Sequence, residues 1–137
     1  MKKIVLALVL LIAICLPPNS IAGEYFFGTI MDETLSTSDT KTSKLVNLAG
    51  YKEFSVLVLI TGGAANQTIH LNIMNSPAPE GGFEIAFENF PLSSQGQKVF
   101  KGVYRIYAPH ISVAIRALGV KEKTPKVQVF VYAGHWH

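Results

Sequence analysis

Apolar and polar residues alternate with the two-residue period of a β-strand along most of the chain beyond its N-terminal segment. In residues 68–74, for example, apolar Ile69, Leu71 and Ile73 alternate with polar residues, among them His70. No window beyond the N-terminal segment shows the sustained spacing of three and four residues that is typical of an amphipathic helix. The pattern therefore predicts an all-β protein.

Segments of strand length are separated by turn residues, chiefly Gly, Pro, Asn and Ser. In chain order the predicted strands are Tyr25–Ile30, Ser43–Leu48, Phe54–Thr61, Thr68–Met74, Phe83–Glu88, Lys98–Tyr107, Ile111–Ala117 and Val127–Tyr132. Strands of this number and spacing are typical of a sandwich or a barrel. We predict a single antiparallel β-sandwich, a jelly roll of about eight strands.

Some segments allow a more detailed prediction. Phe54–Thr61 is an apolar run, which predicts a central strand buried on both faces, and it is predicted to form a long-looped hairpin with Thr68–Met74. Asp32–Thr42 is polar and rich in Ser and Thr, which predicts a loop. Simple alternation places Glu84 and Glu88 on one face of their strand.

The first 22 residues have the three parts of a secretory signal peptide. Lys2 and Lys3 are followed by the apolar run Ile4–Leu16, and Ser20 and Ala22 supply the small residues of a cleavage site. We expect cleavage after Ala22, which leaves residues 23–137 as one β-sandwich domain. The mature chain is then secreted, to the periplasm or the extracellular space, and has no membrane span.

Two alternatives for this segment remain open. An uncleaved anchor is disfavoured because the apolar run is shorter than the roughly 20 residues that a spanning helix needs. A lipid anchor on Cys15 is disfavoured because Ile14 stands where a small residue normally precedes a lipidated Cys. Cys15 is the only Cys, so cleavage after Ala22 leaves a domain without disulfides or a thiol nucleophile.

Composition and charge exclude several classes of protein. Apolar residues make up 49% of the chain and charged residues 15%, which excludes a disordered polar tail. Loss of Lys2 and Lys3 reduces 12 basic residues to 10 against 9 acidic ones, so the net charge falls from +3 to +1. The basic isoelectric point is therefore no argument for a nucleic-acid partner.

Charge is nevertheless unevenly distributed along the chain. Residues 24–90 hold eight acidic and three basic residues, whereas residues 91–137 hold seven basic residues and one acidic residue. This asymmetry fits pairing of the two halves across a sheet. It also fits a head-to-tail contact between copies of the chain.

The order of motifs resembles that of small secreted jelly-roll modules of the galactose-binding-like kind. The residues that carry the resemblance are the turn Leu48-Ala49-Gly50-Tyr51, the motif Tyr107-Ala108-Pro109-His110, the strand Ile111–Ala117 and the closing Tyr132-Ala133. The resemblance covers residues 43–133 and implies a jelly roll that binds glycans or acts in adhesion or assembly. It carries over no binding residue.

Candidate binding chemistry lies mainly near the C-terminus. His135 and His137, two residues apart on a strand, could both ligate Zn²⁺ or Cu²⁺. Trp136 and Tyr132 could stack on a sugar ring. His70 lies on the polar face of its strand, where it could line a sugar groove.

The chain lacks the local signatures of common enzymes. No Walker loop, dinucleotide-binding Gly fingerprint, nucleophile elbow or zinc-protease helix occurs in the sequence. Glu84 and Glu88 would be about 13 Å apart on an extended strand, too far for the carboxylate pair of a glycosidase. We therefore expect a protein that is not an enzyme and needs no cofactor.

Two functional hypotheses follow. The leading one is a secreted binding module for carbohydrate or another cell-surface ligand, with Trp136, Tyr132 and His70 as candidate contacts. The alternative is a structural or assembly subunit that self-associates or joins a larger extracellular complex. It is motivated by the charge asymmetry and by two segments that are apolar on both faces, Val56–Ile60 and Val127–Tyr132.

Overall fold

The computed structural model describes residues 25–36, 39–65, 67–119 and 122–134, so the predicted signal peptide lies outside the described residues. These residues form nine strands, namely β1 (Tyr25–Thr34), β2 (Thr40–Thr42), β3 (Val46–Asn47), β4 (Glu53–Thr61), β5 (Thr68–Ser76), β6 (Phe83–Pro91), β7 (Lys98–Arg105), β8 (His110–Leu118) and β9 (Lys126–Gly134). Sheet A has the order β1-β9-β4-β7, and sheet B has the order β2-β8-β5-β6 with β3 also paired to β8. All pairings are antiparallel.

The strand order is that of a jelly roll. β1 pairs with β9, β2 and β3 with β8, β4 with β7, and β5 with β6. The chain is thus a long hairpin whose nested strand pairs fall alternately into sheet A and sheet B, as in a jelly roll. Because β2 and β3 are two pieces that share one place beside β8, the fold has eight strand positions, and the predicted jelly-roll sandwich is confirmed.

The core lies between the two sheets and is built by the alternation seen in the sequence. Every second residue of the central strands is buried, as at Val56 and Val58 on β4 and at Val113 and Ile115 on β8. Burying an aliphatic side chain of this size contributes about 1.5–3 kcal/mol. The packing of these inner faces is therefore a main source of the stability of the domain.

Several local predictions were wrong. β4 and β5 do not form a hairpin, because β4 pairs with β7 and β9 whereas β5 pairs with β6 and β8 in the other sheet. The predicted loop Asp32–Thr42 is partly strand, since Asp32 continues β1 and Thr40 begins β2. β4 is buried on one face only, and its outer side chains are partly exposed.

A β-bulge reverses the predicted faces of the second half of β6, where Phe87 points outward and Glu88 inward, whereas Glu84 points outward as predicted. The register shifts between Ile73 and Met74, so that Glu88 lies opposite the buried Leu71 while Glu84 lies opposite Met74. Glu88 therefore points toward the space between the sheets and Glu84 points outward. Simple alternation could not show this, because the bulge inserts one residue that breaks the period.

The described residues contain no helix at all, and so none that is long and apolar enough to cross a membrane.

Aromatic side chains connect the edge strands β6 and β7 across the sandwich. Phe90 and Phe100 stack with ring centroids 5.4 Å apart. The hydroxyl of Tyr104 donates a hydrogen bond to the Glu88 carboxylate over 3.3 Å, and its ring lies 5.7 Å from that of Phe54. Burial, together with the neighbouring Glu88 carboxylate, raises the pKa of Tyr104 to about 12.

This raised pKa predicts a loss of stability in alkali. The unfolded Tyr104 ionises near pH 10, whereas the folded one keeps its proton to about pH 12, so its contribution is present below pH 10 and is lost as the pH rises through that interval. We expect the free energy of unfolding to fall more steeply between pH 10 and 12 in the wild type than in Tyr104→Phe. Urea titrations of both proteins at several pH values across this range measure the free energy of unfolding. An equal fall with pH in the two proteins would contradict the assignment to Tyr104.

Candidate functional site

The candidate binding residues predicted from the sequence do not lie together in the structure. His70 lies on the outer face of sheet B and Tyr132 on the outer face of sheet A, so the two cannot contact one ligand. Trp136, His135 and His137 lie outside the described residues. Across the described ranges, no group of three His, Cys, Asp or Glu side chains could hold a metal ion. The metal hypothesis therefore stays a prediction about His135 and His137.

His70 lies in a shallow polar groove on the outer face of sheet B, which we call the sheet B groove. It has a volume of about 280 Å³ and is lined by Thr40, His70, Asn72, Phe87, Ala114, Ile115 and Arg116. The register positions these side chains, because His70 lies opposite Arg116 on β8 while Asn72 lies opposite Phe87 on β6. Four strands thus contribute to one site.

The side chains of the groove contact one another. The Nη2 atom of Arg116 lies 3.5 Å from Nδ1 of His70, whose ring meets the ring of Phe87 edge-on at a centroid distance of 5.5 Å. The amide of Asn72 donates a hydrogen bond to the carboxylate of Glu84 at the margin of the groove. The groove therefore brings together a cation, an aromatic ring and an amide from different strands, with a carboxylate at its margin.

Arg116 has no carboxylate partner among the residues that the structure describes, where Lys126 and Asp32 form the one ion pair, at 3.2 Å. Its side chain is nevertheless only partly exposed. A half-buried guanidinium without a counter-ion is a natural binding partner for an anion.

The second candidate site is the outer face of sheet A, which is largely apolar. We call it the apolar face, and it consists of Tyr25, Phe27, Leu57, Leu59, Val99, Val103, Phe130 and Tyr132. The exposed fractions of Phe27, Val99 and Val103 are 65%, 66% and 59%. A monomeric sandwich normally places polar side chains on such a surface, so this face requires an explanation.

The apolar face has two chemically distinct halves. On β1 and β9 the rings of Phe27 and Phe130 stack 6.2 Å apart, and those of Tyr25 and Tyr132 stack 6.4 Å apart. On β4 and β7 the apolar side chains are the aliphatic Leu57, Leu59, Val99 and Val103. A shallow hollow of about 310 Å³ between the halves is bordered by Lys101.

Charged side chains border the apolar face at both edges. On the β1 side, hydrogen bonds from Gln128 and Lys126 lower the pKa of the exposed Asp32 carboxyl, which favours its ionised form. On the β7 side, Lys101 and Arg105 are exposed and form no ion pair with any carboxylate in the described part of the chain. The face is thus apolar at its centre and charged at its rim.

Sequence reasoning found part of each site. It identified the polar face of His70 and the two segments that are apolar on both faces. It missed Phe87, because the bulge in β6 was not visible, and it missed the exposed Phe27, Val99 and Val103 on the edge strands. The outward direction of these side chains follows from the pairing of β1 with β9 and of β7 with β4. The sequence of a single strand does not contain that information.

No protein-family model and no curated protein matches the sequence. Solved structures do match the fold, among them three that are 6–10% identical to this chain in sequence. The PBSX exported protein XepA superposes with a TM-score of 0.60 at 8% identity, over 82% of this chain and 38% of that one. A chain of the infectious bursal disease virus Gx strain gives 0.53 at 10% identity, over 80% and 31% of the two chains.

A chain of Broad Bean Stain Virus gives a TM-score of 0.50 at 6% identity, over 80% of this chain and 89% of that one. The present chain spans less than two fifths of the length of XepA and of the bursal disease virus chain. At these identities the likenesses show the jelly-roll fold alone. That fold is compatible with a binding role and with a structural role.

Proposed function

We propose that the chain is a secreted, non-enzymatic β-sandwich subunit that self-associates through the apolar face of sheet A. The observation that carries the proposal is the exposure of Phe27, Val99 and Val103 on one continuous sheet surface. Exposed apolar surface of this extent marks an interaction site in soluble proteins. Secretion rests on the signal-like first 22 residues.

The area of the face fits a dimer interface. Four strands of roughly nine residues cover about 20 by 30 Å, given a strand spacing of about 4.8 Å and a rise of about 3.3 Å per residue. Two such faces in contact remove on the order of 1,200 Å² from water. This value reaches the lower limit of stable protein–protein interfaces.

The two halves of the face can cover each other in a symmetric pair, which favours a second copy as the occupant. A two-fold axis parallel to the strands would place the aromatic half of one copy on the aliphatic half of the other. The register then sets Phe130 against Leu57, and Phe27 against Val103, in both directions. Such reciprocal contacts define an isologous interface. The same operation brings Arg105 over the ring of Tyr25, a favourable cation–π arrangement.

Sedimentation velocity on the protein purified from a secreting host tests this proposal. We expect a dimer whose dissociation constant rises at least 100-fold in Phe27→Glu, because a carboxylate would be buried against an apolar partner. Phe27 is 65% exposed, so the substitution should leave the monomer folded.

Phe87→Glu is the matched control, since Phe87 is a half-exposed Phe on the opposite sheet. It should not change the dissociation constant. A wild-type protein that stays monomeric at high concentration, or equal effects of the two substitutions, would overturn the proposal.

The sheet B groove supports a second candidate function, the binding of carbohydrate. A half-exposed aromatic ring beside an amide, a carboxylate and a guanidinium supplies both a stacking surface and hydrogen-bonding groups for sugar hydroxyls. Glu84 is the acidic side chain that contacts a groove residue, whereas Glu88 points inward toward Tyr104, so these two glutamates do not face each other across the groove as the carboxylate pair of a glycosidase would. The two functions use opposite faces and do not exclude each other.

A further inference from the structure

We infer that the sheet B groove recognises a sugar that carries a carboxylate, of the hexuronic acid class, with Arg116 as the group that binds the carboxylate. The inference rests on the carbohydrate-binding candidate and adds to it the chemical class of the ligand. It is independent of the apolar face, which lies on the other sheet.

Arg116 provides the charge for this recognition. It is partly buried on β8, where its Nη2 atom lies 3.5 Å from Nδ1 of His70, and it forms no ion pair with the described carboxylates. A guanidinium has five N–H donors in a planar fork that matches a carboxylate bidentately. The contact with His70 engages the Nη2 atom of the guanidinium, and the other N–H groups are left to donate to a ligand.

Phe87 provides an apolar surface at the same site. Phe87 is 49% exposed, and its ring meets the His70 ring at 78°. A pyranose presents an apolar C–H face that packs on an aromatic ring in the same way as other apolar groups do. Because Asn72 lies opposite Phe87 in the register, a sugar on this ring would also lie beside the amide.

The distribution of charge across the groove gives the ligand an orientation. Arg116 is on the β8 side, whereas Glu84, hydrogen-bonded to Asn72, is on the β6 side. A ligand carboxylate is attracted to the first and repelled by the second, while hydroxyls can donate to Glu84. The volume of about 280 Å³ is below the roughly 300–1,000 Å³ of drug-sized pockets, which suits one small sugar unit.

An NMR titration with sodium glucuronate and with glucose tests the inference, since glucose has a hydroxymethyl group in place of the carboxylate. We expect glucuronate to bind about tenfold or more tightly than glucose, with shifts in the amides of β5, β6 and β8. Arg116→Gln should abolish the preference, and Phe87→Ala should weaken both sugars. Tyr107→Ala, which removes a 69% exposed ring on the loop between β7 and β8, outside the groove and the apolar face, is the control and should change neither.

The other outcomes would contradict either the uronate inference alone or the carbohydrate-binding candidate as well. Equal affinity for the two sugars, or an unchanged preference in Arg116→Gln, would overturn the uronate inference and leave the carbohydrate-binding candidate standing. Sodium acetate that shifts the same amides as strongly as glucuronate would reduce the groove to a simple anion site and overturn it too. No response to either sugar would overturn both the uronate inference and the carbohydrate-binding candidate. The amide spectrum of each variant shows whether it is folded.

Discussion

Replacing Asn75 with Ala is expected to lower the free energy of unfolding by about 4 kcal/mol, because this one side chain makes four hydrogen bonds to the backbone. Its amide nitrogen donates to the carbonyl oxygens of Ala108 and His110 over 2.5 and 2.9 Å. Its oxygen accepts from the amides of Tyr107 and Ala108 over 2.8 and 2.9 Å. Asn75 is fully buried, so water cannot easily replace these bonds.

The effect is large because of where the four backbone groups lie. They belong to the segment that carries the chain from β7 in sheet A to β8 in sheet B, where Pro109 cannot donate to a strand ladder. Asn75, near the end of β5, supplies the hydrogen bonds that a neighbouring strand would otherwise provide. Its loss leaves up to four polar groups unpaired, each at a cost of about 1 kcal/mol.

Urea denaturation followed by circular dichroism measures the loss. Asn72→Ala is the matched control, because Asn72 is on the same strand, points to the outer face and donates a side-chain hydrogen bond to Glu84. We expect this control to cost less than about 1 kcal/mol. Similar losses in the two variants would show that the segment before β8 does not depend on Asn75.

The inner faces of the strands could be predicted from the sequence, whereas their partners could not. Alternation alone places Ile69, Leu71 and Ile73 in the core, because a pleated strand sends every second side chain to one side. Alternation carries no information about which strand lies alongside. The wrong hairpin of β4 and β5 illustrates this, since six residues, 62–67, separate them and hairpin loops have mostly two to five.

The same limit explains what the sequence showed of the two candidate sites. The apolar run of β4 and the closing segment of β9 predicted an apolar outer surface, and Leu57 and Phe130 do lie there, side by side and partly exposed. The sheet B groove depends on contacts between strands far apart in the chain. His70 and Arg116 are separated by 46 residues, and the bulge in β6 decides that Phe87 faces them. The local sequence pattern therefore predicted which face of a strand a side chain occupies. The register between strands determined which side chains meet at each candidate site.

Replacing Gly96 with Ala is expected to lower the free energy of unfolding by about 3 kcal/mol or more. Gly96 has a φ of +68°, which costs a residue with a side chain about 1–2 kcal/mol. An added Cβ would also overlap the backbone carbonyl of Gly63, whose own amide donates to the Gly96 carbonyl over 3.0 Å. Relieving such a clash costs about another 1–3 kcal/mol.

The neighbouring Gly62 separates these two costs. It has a φ of +70°, and a Cβ built on it would meet nothing within 4 Å, so Gly62→Ala carries the backbone strain without the overlap. We expect it to cost about 1–2 kcal/mol, and thermal or urea denaturation of both variants measures the difference. The difference reports the close approach of the loop after β4 to the loop after β6 at Gly63 and Gly96. If both substitutions cost the same, the two loops are free to separate and do not help to join β4 of sheet A to β6 of sheet B.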